Sequence, residues 1–382
     1  MIAWPSARSF FRPAAFRTSL HVMLLVLVTS VVSTAARGED GRKEEMSPPS
    51  AQERSWWNPL TWKWTPTEGE IQNYRRSWNP MANGPILLTS VDISPKGQFL
   101  SQFFVFGETG HLSFDNKLTT HRSDSATHLN AIAPFLLLGY GMTDHFEINV
   151  APTAIYWQAN QTTSTGGRVR EDEFGLGDTA IYLKYRPVVQ DPDSWRPSVT
   201  IYNQISLPSS DWAGTRPVPG GFSPLGRLPA TRFGALSFTE GVLFRKNLRP
   251  FRLSGGIFYT YDTPGNKDGM NTYGGDIVNT RFIIEHILDD DRGFGYNLEF
   301  LTLHVIPHRL DGHDLNLKPT SSTVFGIEPA IQYKFTRSSS GSQFVGATGV
   351  QFTIAGQNNL AAIYPNISLY YYWNSKGKVF MR

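Results

Sequence analysis

Apolar and polar side chains alternate with a period of two through most of the chain after residue 96. In Gly175 to Pro187, Asp178, Ala180, Tyr182, Lys184 and Arg186 fall on one face, and Thr179, Ile181, Leu183 and Tyr185 on the other. Phe146, Ile148, Val150, Ala154 and Tyr156 oppose Glu147, Asn149, Ala151 and Thr153. Phe325, Ile327, Ile331, Tyr333 and Phe335 oppose Glu328, Gln332 and Lys334. A period of two marks a strand with unlike faces. The pattern predicts twelve strands, over 97–108, 128–140, 144–157, 175–188, 196–208, 233–247, 249–263, 272–289, 294–308, 321–336, 342–356 and 359–373. Globular strands usually hold about 5–6 residues, and most of these are at least twice that. A tilted strand crosses a bilayer in about 9–11 residues. Glu240 falls in step with Leu236, Phe238 and Val242, which predicts a bulge or a rim position there.

Connection lengths carry a second signal. The links run long, short, long, short, with 109–127, 158–174, 209–232, 264–271 and 309–320 long. The short ones are Gly141 to Asp144, Val189 to Trp195, Asn247-Leu248, Asp290 to Gly293 and Arg337 to Gly341. Only Gly356 to Asn358 breaks the parity. Outer-membrane barrels have short periplasmic turns and long outer loops; a soluble sandwich gives no reason for the alternation. The expected fold is all-β: a transmembrane antiparallel barrel of about twelve strands over 97–373, with an N-terminal segment outside the barrel.

The N-terminus reads as an export signal over residues 1–36. Arg8, Arg12 and Arg17 precede an apolar core from Val22 to Val32, and Ser33-Thr34-Ala35-Ala36 supplies the small residues of a cleavage site. The alternative is an uncleaved anchor, for which the core is short against the about 20 residues of a spanning helix. Cleavage removes three Arg and no acid, taking the formal charge from +3 to 0 and removing the electrostatic case for a nucleic-acid partner. The chain has no Cys, which excludes disulfides and thiolate chemistry.

Residues 37–96 do not alternate. Trp56, Trp57, Trp62, Trp64 and Trp78, five of the ten Trp, crowd this Pro-rich segment. It packs either on the periplasmic rim, with its indoles at the interface, or inside the lumen as a plug. At the other end, Ile367, Leu369, Tyr371 and Trp373 share a face, and residues 374–382 extend beyond that strand.

Gly175 to Pro187 resembles the Gly-hydrophobic-Gly-Asp…Lys-Tyr-Arg signature of a family of bacterial outer-membrane barrels. The family is associated with the meta-cleavage pathway of phenol degradation. Tyr140 to Glu147 is similar to its Gly-Leu-Thr-Asp hairpin between the second and third strands. The resemblance covers roughly residues 97–373. It implies a barrel and an uptake role for hydrophobic or aromatic compounds.

Ionisable and amide side chains on strands are the candidate functional residues. The alternation points Glu147, Asn149, Asp178, Lys184, Arg186, Gln204, Arg281, Glu285, Glu299, Glu328 and Lys334 into the lumen. Facing lipid instead, each Arg or Lys would cost about 2–4 kcal/mol near the midplane. They form either a polar wall that sets what passes or a salt-bridged interior that holds the barrel closed. No metal or other cofactor is expected. His304, His308 and His313 lie near Asp311 and Asp314, but His308 to Asp314 reads as an outer loop, and Asp289-Asp290-Asp291 lacks the spaced ligands of a calcium loop. A phospholipase-like barrel would need a Ser beside a His. Ser123 and Ser125, before His128, read as loop, and no Gly-x-Ser-x-Gly elbow is present. Ser209 to Arg232, with Trp212 and Phe222, reads as an outer loop or as a lid over the mouth.

The expected activity is passive uptake of small hydrophobic or aromatic solutes across a bacterial outer membrane, with no covalent chemistry. The expected partners are membrane lipid, the barrel-assembly machinery and the solute. The alternatives are a non-conducting structural or adhesion barrel and, further off, an outer-membrane hydrolase.

Overall fold

The structure is a computed structural model. It describes residues 86–373 except 87, 95–96, 144, 163–165, 191–194, 210–235, 249, 264, 268–269, 274, 290–292, 307–308, 311–312, 315–320 and 338–342. The signal segment, all five crowded Trp, the 374–382 tail and most of the Ser209 to Arg232 loop lie outside the described residues.

Its strands are β1 (Phe99–Ser113), β2 (Ser123–Thr143), β3 (Phe146–Ala151), β4 (Ala154–Thr162), β5 (Arg168–Leu176), β6 (Thr179–Val188), β7 (Ser198–Leu207), β8 (Ser237–Leu248) and β9 (Phe251–Asp262). There follow β10 (Gly265–Lys267), β11 (Met270–Tyr273), β12 (Ile277–Asp289), β13 (Phe294–Val305), β14 (Arg309–Leu310), β15 (His313–Asp314), β16 (Ser322–Arg337), β17 (Gln343–Gln357) and β18 (Ile363–Trp373). Fourteen of them make one antiparallel sheet, and β1 closes it by pairing with both β2 and β18. β3 with β4, and β5 with β6, are each one stave broken in the middle, so the closed barrel has twelve staves. β10, β11, β14 and β15 form a small sheet at the loop end.

The two breaks face each other. Pro152, which has no N–H for the ladder, follows β3. Opposite it, Gly177 donates its N–H to Thr153 O at 2.9 Å, between β5 and β6. Gly177 and Asp178 are both buried in succession, so the inward face switches from odd residues in β5 to even ones in β6. That is the behaviour of a bulge.

The twelve staves match the twelve expected strands one for one, with shifted ends. β2 begins at Ser123, so Ser123 and Ser125 belong to a strand and not to a loop. Beyond a register shift, Ser123 and Asp124 pair with Ser113 and Leu112, and the polar hairpin continues past the apolar belt. Residues 272–276 do not open the eighth stave; β11 and a link take their place. Glu240 needs no bulge, because β8 keeps an unbroken register with β7 and β9. It points outward three residues from the loop-side end of β8, between Asn203 and Tyr259.

Alternate residues are sorted inside out. Ile132, Ile331, Phe335 and Ile367 are 52–57% exposed, while Glu147, Lys184 and Glu328 on the opposite face are 4% exposed or less. Two stacked sheets would bury the apolar faces against each other; here they point away from the enclosed space. The turn end carries an outward aromatic belt, including Phe99 with Tyr140 (ring centroids 4.6 Å apart), Tyr333 with Phe335 (5.3 Å) and Tyr371 with Trp373 (4.5 Å). Such girdles mark the membrane interfaces of barrels. Placing a charge on this outer face tests the sorting. Ile132→Arg should lower the folding free energy in lipid vesicles by about 2–4 kcal/mol, measured by reversible urea unfolding, whereas Ile132→Leu should have little effect.

Candidate functional site

The turn-side half of the inner wall is charged. On β3, Glu147 meets Lys184 Nζ of β6 at 3.1 Å and accepts Asn149 Nδ2 at 2.8 Å. Across the ring, Glu285 of β12 meets Arg252 of β9 at 3.2 Å and accepts Ser254 Oγ at 3.3 Å. Arg252 is among the largest fully buried side chains. Charges this deep are kept ionised only by partners.

Into this half runs the chain before β1. Gly97, at φ 83° where a side chain would be strained, turns it inward; its N–H donates to Gly141 O at 2.8 Å. Ser94 N–H then donates to Glu147. The Asp92 carboxylate lies between two guanidiniums, Arg186 at 3.2 Å and Arg245. Lys184 Nζ donates to Asp92 O at 2.6 Å and Thr200 Oγ1 to Val91 O at 2.5 Å. Leu88 and Ile86 donate their N–H groups to the two oxygens of Glu299, at 3.2 and 2.5 Å. The segment has no secondary structure, so its backbone groups depend on the wall for partners. Leu88 and Val91 pack on Leu137, Tyr182, Tyr202, Leu243, Phe258 and Ile283.

Toward the loop end, the inner wall carries an apolar cluster on one side of the barrel. Phe104, Phe106, Leu129, Ile155, Trp157, Leu303 and Tyr364 belong to one buried cluster that also receives Ile86. Phe104 lies 4.8 Å from Phe135, and Phe106 5.6 Å from Tyr364, between ring centroids. A water-filled lumen is polar; this one changes character halfway along. β2 is apolar on both faces, with Leu129, Ala131, Ala133 and Leu137 inward and Ile132, Leu136 and Leu138 outward.

The remaining candidates fall as follows. Glu328 accepts Asn366 Nδ2 at 2.7 Å. Gln204 accepts the Tyr202 hydroxyl and donates to Ser206 Oγ at 2.9 Å. Arg281 Nε donates to Asn279 Oδ1 at 3.3 Å. Asp178 and Lys334 are buried. The segment 86–94 brings Glu147, Lys184, Arg186 and Glu299 together around one strap. Asp92, Arg245 and Arg252 escape the sequence reading. Asp92 sits in a stretch without period, and Glu240 blurs which face of β8 is inner. Arg252 alternates with Phe251 and Leu253 and was readable on that ground. His304 points outward and bonds Thr323 Oγ1 at 2.9 Å. Among the described residues no group of three His, Asp or Glu could hold a metal ion.

No protein family model matches the chain, and no curated protein matches it. Solved structures do. The COG4313 outer membrane channel from Pseudomonas putida F1 is similar over 76% of this chain and 100% of that one, at 11% identity and a TM-score of 0.56. A deltaS2S3 mutant of the TodX monoaromatic hydrocarbon channel aligns over 74% of this chain and 91% of that one, at 9% identity; its TM-score of 0.36 carries no argument. The first likeness is one of fold: the chain is built as a closed antiparallel β-barrel, the fold of that channel.

Proposed function

We propose that the protein is a passive outer-membrane channel for small hydrophobic or aromatic solutes in a Gram-negative-type cell, reached through a cleaved export signal and the barrel-assembly machinery. The observation that carries this reading is the apolar, aromatic cluster on one side of the inner wall toward the loop end. Apolar side chains turned inward give an apolar solute a place to leave water. The charged half below would then admit the solute only as the strap 86–94 shifts. The resemblance of Gly175 to Pro187 to barrels of the phenol meta-cleavage pathway, and the fold shared with a channel, agree with this reading. No step of it makes or breaks a covalent bond.

Uptake tests it. Gram-negative cells producing the protein should take up radiolabelled toluene faster than cells carrying an empty vector, with lipopolysaccharide slowing the background leak. Equal rates, at verified outer-membrane abundance, reject it. One observation favours a second reading, a non-conducting barrel: the strap is bound to both Glu147 and Glu299, on opposite sides of the wall. In that case removing the strap would open no path for solute.

A further inference from the structure

Resting on the outer-membrane reading, with turns in the periplasm and loops outside, we infer that the strap threads the barrel from its turn end to its loop end. The chain before the strap, from Arg54 onward with its five crowded Trp, then emerges at the cell surface. The strap has a direction. Its C-terminal end is pinned at the turn end, where Gly97 donates to Gly141 O at 2.8 Å and Gly141 donates back to Gln98 O at 3.0 Å. Ser94 then donates to Glu147, the second residue of β3 above that turn. Val91 O accepts from Thr200, the third residue of β7 above its own turn. Leu88 and Ile86 donate to Glu299, the sixth of the twelve residues of β13 counted from the turn side. The Ile86 side chain goes higher still, into the cluster that holds Leu303, Val305 and Leu360. Read from Gly97 back to Ile86, the contacts climb in order.

Before Ile86 the chain either continues to the mouth or turns back beside the strap. A returning limb inside the barrel needs partners for its own backbone groups. The strap would be the extended chain beside it, and the strap has already spent the groups a ladder uses. The N–H groups of Ile86 and Leu88 go to Glu299, that of Asp92 to Ser90 Oγ at 3.1 Å, and that of Ser94 to Glu147. The carbonyls of Val91 and Asp92 go to Thr200 and Lys184. The strap is therefore built to run in single file, held by wall side chains on both sides. Onward, the distance is short. Glu299 stands six residues below Val305, the last residue of β13. About six further residues of extended chain, at about 3.3 Å each, bring the strap level with that strand end. The stretch from Arg54 to Pro85 is several times that length, so most of it lies past the mouth.

The inference gives the strap a second role. It blocks the charged half from within, and it also holds an indole-rich stretch on the side from which solute arrives.

The test uses single cysteines, which report cleanly because the chain has none of its own. Ser55→Cys, Leu118→Cys in the β1–β2 loop and Trp195→Cys in the β6–β7 turn are produced in Gram-negative cells. Leu118 and Trp195 are 60% and 82% exposed, so both give a readable signal from their own side of the membrane. Heat-modifiable gel migration confirms each barrel. Intact and permeabilised cells are treated with a maleimide carrying a polymer too large to cross the outer membrane, and the gel shift is read. Ser55→Cys should shift in intact cells as fully as Leu118→Cys, while Trp195→Cys shifts only after permeabilisation. A Ser55→Cys protein that shifts only after permeabilisation, or in neither preparation, overturns the inference and leaves the outer-membrane reading standing. The reverse pattern in the two reporters, with Trp195→Cys shifting in intact cells and Leu118→Cys only after permeabilisation, overturns the reading on which it rests.

Discussion

In planar bilayers, a variant lacking residues 37–96 is expected to stay open where the intact protein conducts only in rare, brief events. The strap that enters the barrel gives three N–H groups to two carboxylates, places Asp92 between two guanidiniums, and buries Ile86, Leu88, Val91 and Ile93. Hydrogen bonds to charged groups are worth about 1.5–3 kcal/mol each, and ordering the strap opposes them. A net retention of only about 4 kcal/mol leaves the lumen free of it for roughly one part in a thousand. Deletion should therefore raise the open fraction by about a thousandfold. Glu299→Gln provides a milder version, since a neutral acceptor holds the two amides less firmly, and should give openings of intermediate length. Indistinguishable traces from the intact and deleted proteins would show that the strap is not the obstruction.

Removing one member of the Arg252–Glu285 pair is expected to destabilise the barrel more than any single outward substitution. Both residues are almost fully buried, and Ser254 also donates to Glu285. Glu285→Leu leaves Arg252 without the carboxylate that faces it, at a cost of about 3–5 kcal/mol. Arg252→Leu should cost a similar amount. The double variant should lose much less than the sum, because two apolar side chains can replace a buried pair at little expense. Urea unfolding in vesicles of all four proteins closes the cycle. Additive losses would mean that the two side chains act independently and that the charged tier is not held by pairing.

The twelve staves are legible in the sequence because two solvents write the period. Phe325 to Phe335 and Phe146 to Tyr156 put every second side chain against lipid and the others inside, and no competing pattern explains both. β2 is legible only by its length and its hairpin, since Ala131 and Ile132 are alike in polarity yet face opposite ways. The strap is legible only as one of two placements for residues 37–96, and its anchors are not legible. Its anchors lie 53 residues away at Glu147 and 213 residues away at Glu299, and a backbone amide carries no side-chain signature of the bond it makes. The inward apolar cluster is hidden for a related reason. Alternation assigns Phe104 and Phe106 to whichever side is greasy, and Phe103 and Val105 beside them are equally so.

That two-faced character of β2 bears on how the chain survives before assembly. Any compartment of water it crosses unfolded meets an uninterrupted greasy ribbon from Ala131 to Leu138, with no charge to keep two copies apart. Ribbons of this kind stack into insoluble aggregates. Pro134, set at its centre, withholds one ladder hydrogen bond and spoils such stacking. Replacing it would tighten the finished wall but make the naked polypeptide more dependent on escort by a holding chaperone.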